Sequence, residues 1–320
     1  MGLIIKGKWG DQWYDTQKSN GAFIRQESQY RHTISDAPDN QYQPESGRYN
    51  LYVSLACPWA HRTLIFRQLK SLKQHISVSI VEPEMLDKGW VFADPGDDLY
   101  QLKHLFELYL KGDKNYQGRV TVPVLWDKKT ETIVNNESSE IIRIFNSAFD
   151  GLTGNQEDYY PQHLRSEIDR INSRIYKYIN NGVYRAGFAT TQAAYEQAHE
   201  ELFMELDRLE KHLATQRYLV AGQISEADWR LFTTLLRFDA VYHGHFKCNR
   251  QKLSELENIS AYLRELYQIP GVRETVNINH IKNHYYKSHL NINPTGIVPA
   301  GPRLDFSAAH NRELVSLGIN

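Results

Sequence analysis

Residues 48–81 constrain the fold of this chain more than any other stretch. Residues 48–53 read as a short strand with Tyr49, Leu51 and Val53 on one face, since side chains alternate sides along a strand. The turn Ser54-Leu55-Ala56-Cys57 follows, and Pro58 opens a run of helical period through Ile65, Phe66 and Leu69. Proline suits the first helical position, where an N–H has no intrahelical partner to lose. Residues 75–81 alternate again through Ile76, Val78 and Ile80. A strand–helix–strand unit this short predicts a parallel pair joined by a right-handed crossover.

Residues 84–118 read as an insertion, with Gly89-Trp90-Val91-Phe92 in a loop and a helix over 98–110. Residues 120–126 read as a strand interrupted by Pro123, and 132–134 as its partner across a turn. Proline within a strand is confined to edges and special positions, and Val122–Pro123 is a candidate cis bond. Asn136-Glu137-Ser138-Ser139 then opens a helix through Ile141, Ile142 and Phe145. The order β-α-β-α-β-β-α is that of the glutathione-binding thioredoxin fold.

After Phe149 the strand signals stop. Helical patterns cover 161–180, 191–213, 226–240 and 260–266, and Ser225 and Asp228 form a capping-box pattern before the third. The expected organisation is an ordered extension over 1–46 carrying Trp9, Trp13, Tyr14 and Phe23. A thioredoxin-like α/β domain over 47–149, a linker over 150–158 and an all-α domain over 159–320 follow. Pro294, Pro299 and Pro302 mark a loop-rich tail to the helical domain.

Lys and Arg total 37 against 38 Asp and Glu, so the chain lacks the basic excess of a nucleic-acid binder and points to small molecules or proteins as partners. No stretch approaches the ~18 apolar residues of a membrane span. The apolar run at Leu3 is far below the roughly 7–15 residues of a signal core. The only cysteines, Cys57 and Cys248, form neither a CxxC pair nor a disulfide framework, which suits a reducing cytoplasm. His243 and His245 lie near Cys248, and His280 and His284 have helical spacing, but no Glu follows His280 as a zinc protease motif requires. They read as surface or hydrogen-bonding histidines, with no metal.

Cys57 is the sharpest chemical feature. At or beside a helix N-cap it faces unpaired N–H groups and the positive end of the helix dipole, both favouring thiolate. Such a setting can lower a thiol pKa from about 8.5 into the range of about 3.5–7.5. Cys248 has no such setting and reads as structural. Residue 60 is Ala60, not a second cysteine, so a mixed disulfide on Cys57 needs an external thiol, and glutathione is the obvious one. Glu137 and Ser138 open a helix where backbone N–H groups and a hydroxyl can hold a carboxylate, while Glu137 can hold an ammonium. Plain helix capping is the alternative for this pair. With Val122-Pro123 and Cys57, they suit a zwitterionic γ-glutamyl group on a peptide backbone.

Cys57-Pro58-Trp59-Ala60, Gly89-Trp90, Arg119-Val120-Thr121-Val122-Pro123 and Asn136-Glu137-Ser138 together resemble the glutathionyl-hydroquinone reductases, or Xi-class glutathione transferases. So do Asn181-Gly182-Val183-Tyr184-Arg185-Ala186-Gly187-Phe188, Phe238-Asp239-Ala240-Val241-Tyr242-His243 and His284-Tyr285-Tyr286. The resemblance spans essentially the whole chain. It implies a homodimer that uses glutathione to reduce glutathionyl-hydroquinones. It further implies that Trp90, Arg119, Val120, Thr121, Val122, Glu137 and Ser138 hold glutathione, with Cys57 as nucleophile. Tyr184 is implied as proton donor and acceptor, and Tyr242 and Tyr285 as hydroxyls that stabilise the thiolate. An Omega-like transferase, acting as a thioltransferase or dehydroascorbate reductase, would share the Cys-Pro start; the tyrosine set favours the hydroquinone reductase. A non-catalytic binder of aromatic ligands would tolerate Cys57→Ser.

Overall fold

The structure, a computed structural model, describes residues 2–316. In chain order its elements are β1 (Leu3–Ile5), β2 (Lys8–Gly10), β3 (Tyr49–Val53), α1 (Pro58–Leu69), β4 (Ile76–Ile80), α2 (Leu105–Gly112) and β5 (Gly118–Arg119). Then come β6 (Val124–Asp127), β7 (Thr132–Asn135), α3 (Ser138–Ser147), α4 (Asp150–Thr153), α5 (Arg165–Ile175), α6 (Gly182–Gly187) and α7 (Gln192–Leu213). The last are α8 (Glu226–Arg237), α9 (His243–His245), α10 (Glu257–Gln268), α11 (Ile278–Ser288) and α12 (Glu313–Ser316). They form two compact units. The first comprises Met1–Trp13, Gln26–Glu157 and Thr275–Val298; the second comprises Tyr14–Arg25, Asp158–Glu274 and Pro299–Asn320.

The first unit is built on a four-stranded sheet in the order β4-β3-β6-β7. β3 runs parallel to β4 and antiparallel to β6, and β6 pairs antiparallel with β7. The parallel pair confirms the strand–helix–strand reading. β3, however, is buried along its whole length rather than on one face. As an inner strand it must therefore satisfy buried polar side chains: Asn50 donates to Ser79 Oγ (3.1 Å) and Tyr52 to Asp97 (2.9 Å). Just before β3, Arg48 donates to both carboxylate oxygens of Asp127 at the end of β6 (2.9 and 2.6 Å). Burial alone would push the Asp127 carboxyl up, but Arg48, the Thr130 hydroxyl and the Lys129 amide hold it below its ordinary value.

Several expected boundaries move. The helix expected over 98–110 begins only at Leu105, because residues 97–102 instead turn around Asp97, which accepts from the amides of Leu99, Tyr100 and Leu102. The strand expected over 120–126 is confined to Val124–Asp127, since Pro123 cannot donate to a ladder. Just before the expected stretch, Gly118–Arg119 forms a strand that was not anticipated and pairs with β1 in a second sheet ordered β2-β1-β5. Thus the polar N-terminal extension begins as a hairpin. The expected linker contains α4, and α11, beyond the last expected helix and before the prolines of the tail, belongs to the first unit.

The second unit is helical. Thr191 caps α7 through the amide of Ala194, and Ser225 with Asp228 closes the predicted capping box of α8. Two helices expected to run on regularly widen at their ends into π-helical turns, Tyr176–Asn180 and Phe238–Tyr242. Helix α6, absent from the sequence reading, follows the first of them. Asp228 is wholly buried and accepts from Tyr262 Oη (2.7 Å), Ser225 N (2.8 Å) and Leu219 N (3.0 Å). Burial outweighs these donors and raises its carboxyl above the ordinary range. Among the described residues no helix is long and apolar enough to cross a membrane.

Candidate active site

Cys57 is the N-cap of α1, with Pro58 at the first helical position. Its backbone is extended, its carbonyl already accepts from His61 N (2.9 Å), and its thiol is half-buried. This geometry follows from the local sequence: a proline cannot continue the strand ladder, yet it can start a helix. The Cys57 thiol donates to the Val122 carbonyl at 3.6 Å, and the Val122–Pro123 bond is cis. Residues 120–122, expected within that strand, thus lie before it and bring the Val122 carbonyl to the cysteine.

Those residues rest on polar supports. Tyr109 Oη donates to Thr121 O (2.8 Å) and accepts from Thr121 N (3.3 Å) and Asn136 Nδ2 (3.2 Å). One buried phenol therefore joins the segment before Pro123 to the start of α3, and burial pushes its pKa up. Arg119 donates to the carbonyls of Gln12 and Trp13 in the N-terminal arm. Val120 and Val122 are buried.

At the start of α3, Glu137 is the N-cap. Its carboxylate accepts from Ser139 N (3.0 Å), Ser139 Oγ (2.8 Å) and Ser28 Oγ (3.1 Å). Burial raises its pKa, but these hydrogen bonds and the nearby Arg62 guanidinium more than offset that, leaving the carboxyl below its usual value. Buried Arg62 lies over the Trp59 ring (4.5 Å) and donates to Ser138 Oγ (3.4 Å). Hence Glu137 does cap its helix, and a fixed positive charge stands beside it.

Trp90 is buried and stacks on His284 of α11, with ring centroids 4.8 Å apart and planes 22° from parallel. The His284 Nδ1 lies 2.8 Å from Pro83 O, Met85 N donates to Ser288 Oγ (2.9 Å), and Lys287 pairs with Glu84 (2.8 Å). These contacts dock α11 on the loop that carries Trp90. Tyr285, also on α11, is buried against the rings of His284 and His289. The histidine pair read as hydrogen-bonding is used so at His284.

In the second unit, Tyr184 lies on α6 and Tyr242 ends the second π-helical turn, with ring centroids 6.0 Å apart. Phe246 packs on both, at 5.5 and 5.4 Å. Gly187 makes this close packing possible, since a Cβ there would fall 2.2 Å from Phe246 Cγ. Cys248 is wholly buried, which pushes its thiol far up, and it donates to Phe246 O (3.8 Å). Among the described residues no group of three or more His, Cys, Asp or Glu is arranged to hold a metal ion.

Residues 56–148 match the glutathione S-transferase N-terminal domain and 192–265 the glutathione S-transferase C-terminal domain. Over 325 residues the chain is 53% identical to glutathionyl-hydroquinone reductase YqjG of Escherichia coli (strain K12), covering 98% of this chain and 99% of that protein. The chain belongs to the glutathionyl-hydroquinone reductases, the Xi class of glutathione transferases. The glutathione-bound structure of YqjG superposes with a TM-score of 0.86 at 53% identity, over 89% of this chain and 96% of that one. An Xi-class transferase from Natrialba magadii gives 0.91 at 46% identity, over 98% and 97%. Arg62 and Tyr109, which brace the residues around Cys57, are supports that sequence reading missed. Arg62 sits on a predicted helix as an ordinary charged residue, and nothing local marks it as the partner of Ser138.

Proposed function

We propose that this chain reduces glutathionyl-hydroquinones to hydroquinones through a Cys57–glutathione disulfide. The observation that carries the reading is a half-buried thiol at the N-cap of α1, 3.6 Å from the Val122 carbonyl, in a reductase-family chain. The helix start supplies N–H groups and dipole that favour the thiolate. Glutathione is held by Trp90, by Arg119, Val120, Thr121 and Val122, and by Glu137 and Ser138. The low pKa of Glu137 keeps a carboxylate ready for the γ-glutamyl ammonium, and the start of α3 suits its carboxylate.

In the first half-reaction the Cys57 thiolate attacks the glutathione sulfur of the substrate. The carbon–sulfur electron pair leaves with the ring carbon, which takes a proton from Tyr184. Hydroquinone departs, and Cys57 is left in a disulfide with glutathione. A second glutathione thiolate attacks that disulfide, releasing glutathione disulfide and the Cys57 thiolate, and solvent reprotonates Tyr184. The Tyr242 and Tyr285 hydroxyls stabilise the thiolate. The working form in this reading is a cytoplasmic homodimer without a metal cofactor.

The test incubates the protein with a glutathionyl-hydroquinone and excess glutathione, following hydroquinone and glutathione disulfide by chromatography. Equimolar release of both by the wild type, and by Cys57→Ser neither, is the expected outcome. Activity confined to a small glutathione mixed disulfide would replace this reading with that of a thioltransferase.

A further inference from the structure

Residues Tyr14–Arg25 of the N-terminal extension belong to the second unit, and they end on an arginine placed over Tyr184. The Arg25 guanidinium carbon lies 5.0 Å from the centroid of the Tyr184 ring and 5.6 Å from that of Phe23. Its Nε donates to Asn181 Oδ1 at 3.3 Å. Asn181 is the N-cap residue of α6, the helix that carries Tyr184, so the peg and the ring sit on one rigid element. Phe23 packs in turn on Phe188, just past the end of the same helix, at 5.3 Å. A permanent cation is therefore held to one face of the tyrosine from both sides.

A guanidinium over an aromatic face is attracted by the ring quadrupole. Its attraction for a phenolate is larger, because the ring then carries a full negative charge. Arginine stays charged throughout the working pH range, so this bias is constant.

We propose that Arg25 is a positioning residue for the proton of Tyr184: pegged by Asn181, it favours the phenolate left when Tyr184 protonates the ring carbon of the departing hydroquinone. The inference rests on the role given to Tyr184 above. The bond broken is the Tyr184 O–H, the bond formed is the ring C–H, and the negative charge stays on the phenolate under Arg25 until solvent returns a proton. The other ionisable groups on α6 and the elements around it have contacts of their own. Tyr242 is in ring contact with Tyr184, and Arg185 is paired with Glu201 of α7 (2.6 Å). Lys177 of the first π-helical turn also acts on Glu201. Asp239 of the second accepts from the amides of Leu253 and Ser254. Burial pushes His245 of α9 down to about 4, keeping it neutral at neutral pH. In the arm itself, Lys18 pairs with Asp15 (3.5 Å).

The test is the pH profile of glutathionyl-hydroquinone turnover by the full chain, for wild type, Arg25→Gln, Arg25→Lys and Tyr184→Phe. Tyr184 must be protonated to act as the acid, so turnover falls on the basic side as it ionises. Losing the cation raises the Tyr184 pKa. The basic limb of Arg25→Gln is therefore expected about one pH unit higher, as for the loss of an adjacent opposite charge. Its kcat at pH 7 should fall about three- to tenfold, since a weaker acid transfers its proton more slowly. Arg25→Lys should keep most of the wild-type limb. A purely structural role would lower turnover and leave the limb in place, and a wild-type limb in Arg25→Gln overturns the proposal. Tyr184→Phe should lose the limb; if it keeps it, the role of Tyr184 fails, which is a separate result. Should thermal melts show that Arg25→Gln does not fold, Asn181→Ala removes the peg and keeps the cation. A smaller upward shift is expected there, and an unmoved limb again overturns the proposal.

Discussion

The two units hold their candidate site residues by different physical means. In the first, the backbone beside Cys57 is fixed by directional polar contacts: Tyr109 on Thr121 and Asn136, Arg119 on Gln12 and Trp13, and the Ser28 and Ser139 hydroxyls on Glu137. In the second, Tyr184 and Tyr242 are held by rings, with Phe246 against both and Phe188 against Tyr184. The contrast extends to buried carboxylates. Asp127 is matched to an arginine and its pKa falls; Asp228 is met by hydrogen-bond donors that burial outweighs, and its pKa rises. Even the cysteines divide this way, with Cys57 half-buried at a helix start and Cys248 sealed among side chains. A peptide-like, charged ligand calls for donors and acceptors at set distances, whereas an aromatic ring calls for shape. In the function proposed above, each unit serves one of these.

The contrast can be broken in order of effect. The largest separates the two thiols: Cys57→Ser should reduce hydroquinone release to that of a no-enzyme control, while Cys248→Ala stays active. In the same comparison, iodoacetamide should label Cys57 alone in the native protein, as intact-mass measurement would show. Next, Arg48→Ala leaves the Asp127 carboxylate buried without its cation and should destabilise by about 3–5 kcal/mol in chemical denaturation. Gly187→Ala drives a methyl into Phe246 and should cost roughly 1–3 kcal/mol, with turnover lost as the ring between the two tyrosines shifts. Tyr109→Phe leaves Thr121 O without its donor; a loss of about 1–3 kcal/mol and a higher KM for glutathione are expected.

The finest test is the sign of a pH dependence. Asp127 has a depressed folded pKa, so its stabilisation is present above the unfolded value of about 3.9 and is lost as pH falls through the folded one. The destabilisation caused by Asp127→Asn should therefore shrink as the medium is made more acidic than about pH 4. Asp228 has a raised folded pKa, so its ionisation disfavours the fold as pH rises. The effect of Asp228→Asn should grow in the same acidic direction. Melting temperatures of both variants across pH would show the opposite trends, and parallel trends would remove the distinction between the two buried carboxylates.

Much of the first unit was legible because its signals are local. A proline after Cys57 fixes a helix start and strand alternation marks β3 and β4; in the second unit Ser225 with Asp228 likewise writes a cap within four residues. Helix α11 was not read from the sequence: INHIKNHYYKS carries only Ile278, Ile281 and Tyr285 at helical spacing among polar residues, and it is docked by Trp90, Pro83 and Glu84 far away in the chain. The full burial of β3 depends on what lies across both faces, which no alternation within the strand encodes. The position of Cys57 at a helix start, the capping of Glu137 and the order of the thioredoxin-like elements were set by the sequence alone, through caps and periods a few residues long. That Arg62 meets Ser138, Tyr109 meets Thr121, and one N-terminal extension divides so that Arg119 holds Trp13 while Arg25 covers Tyr184 was decided only by the tertiary structure. Those pairings join residues whose chemistry is ordinary in isolation, and only chain folding brings them within hydrogen-bonding or ring-stacking distance.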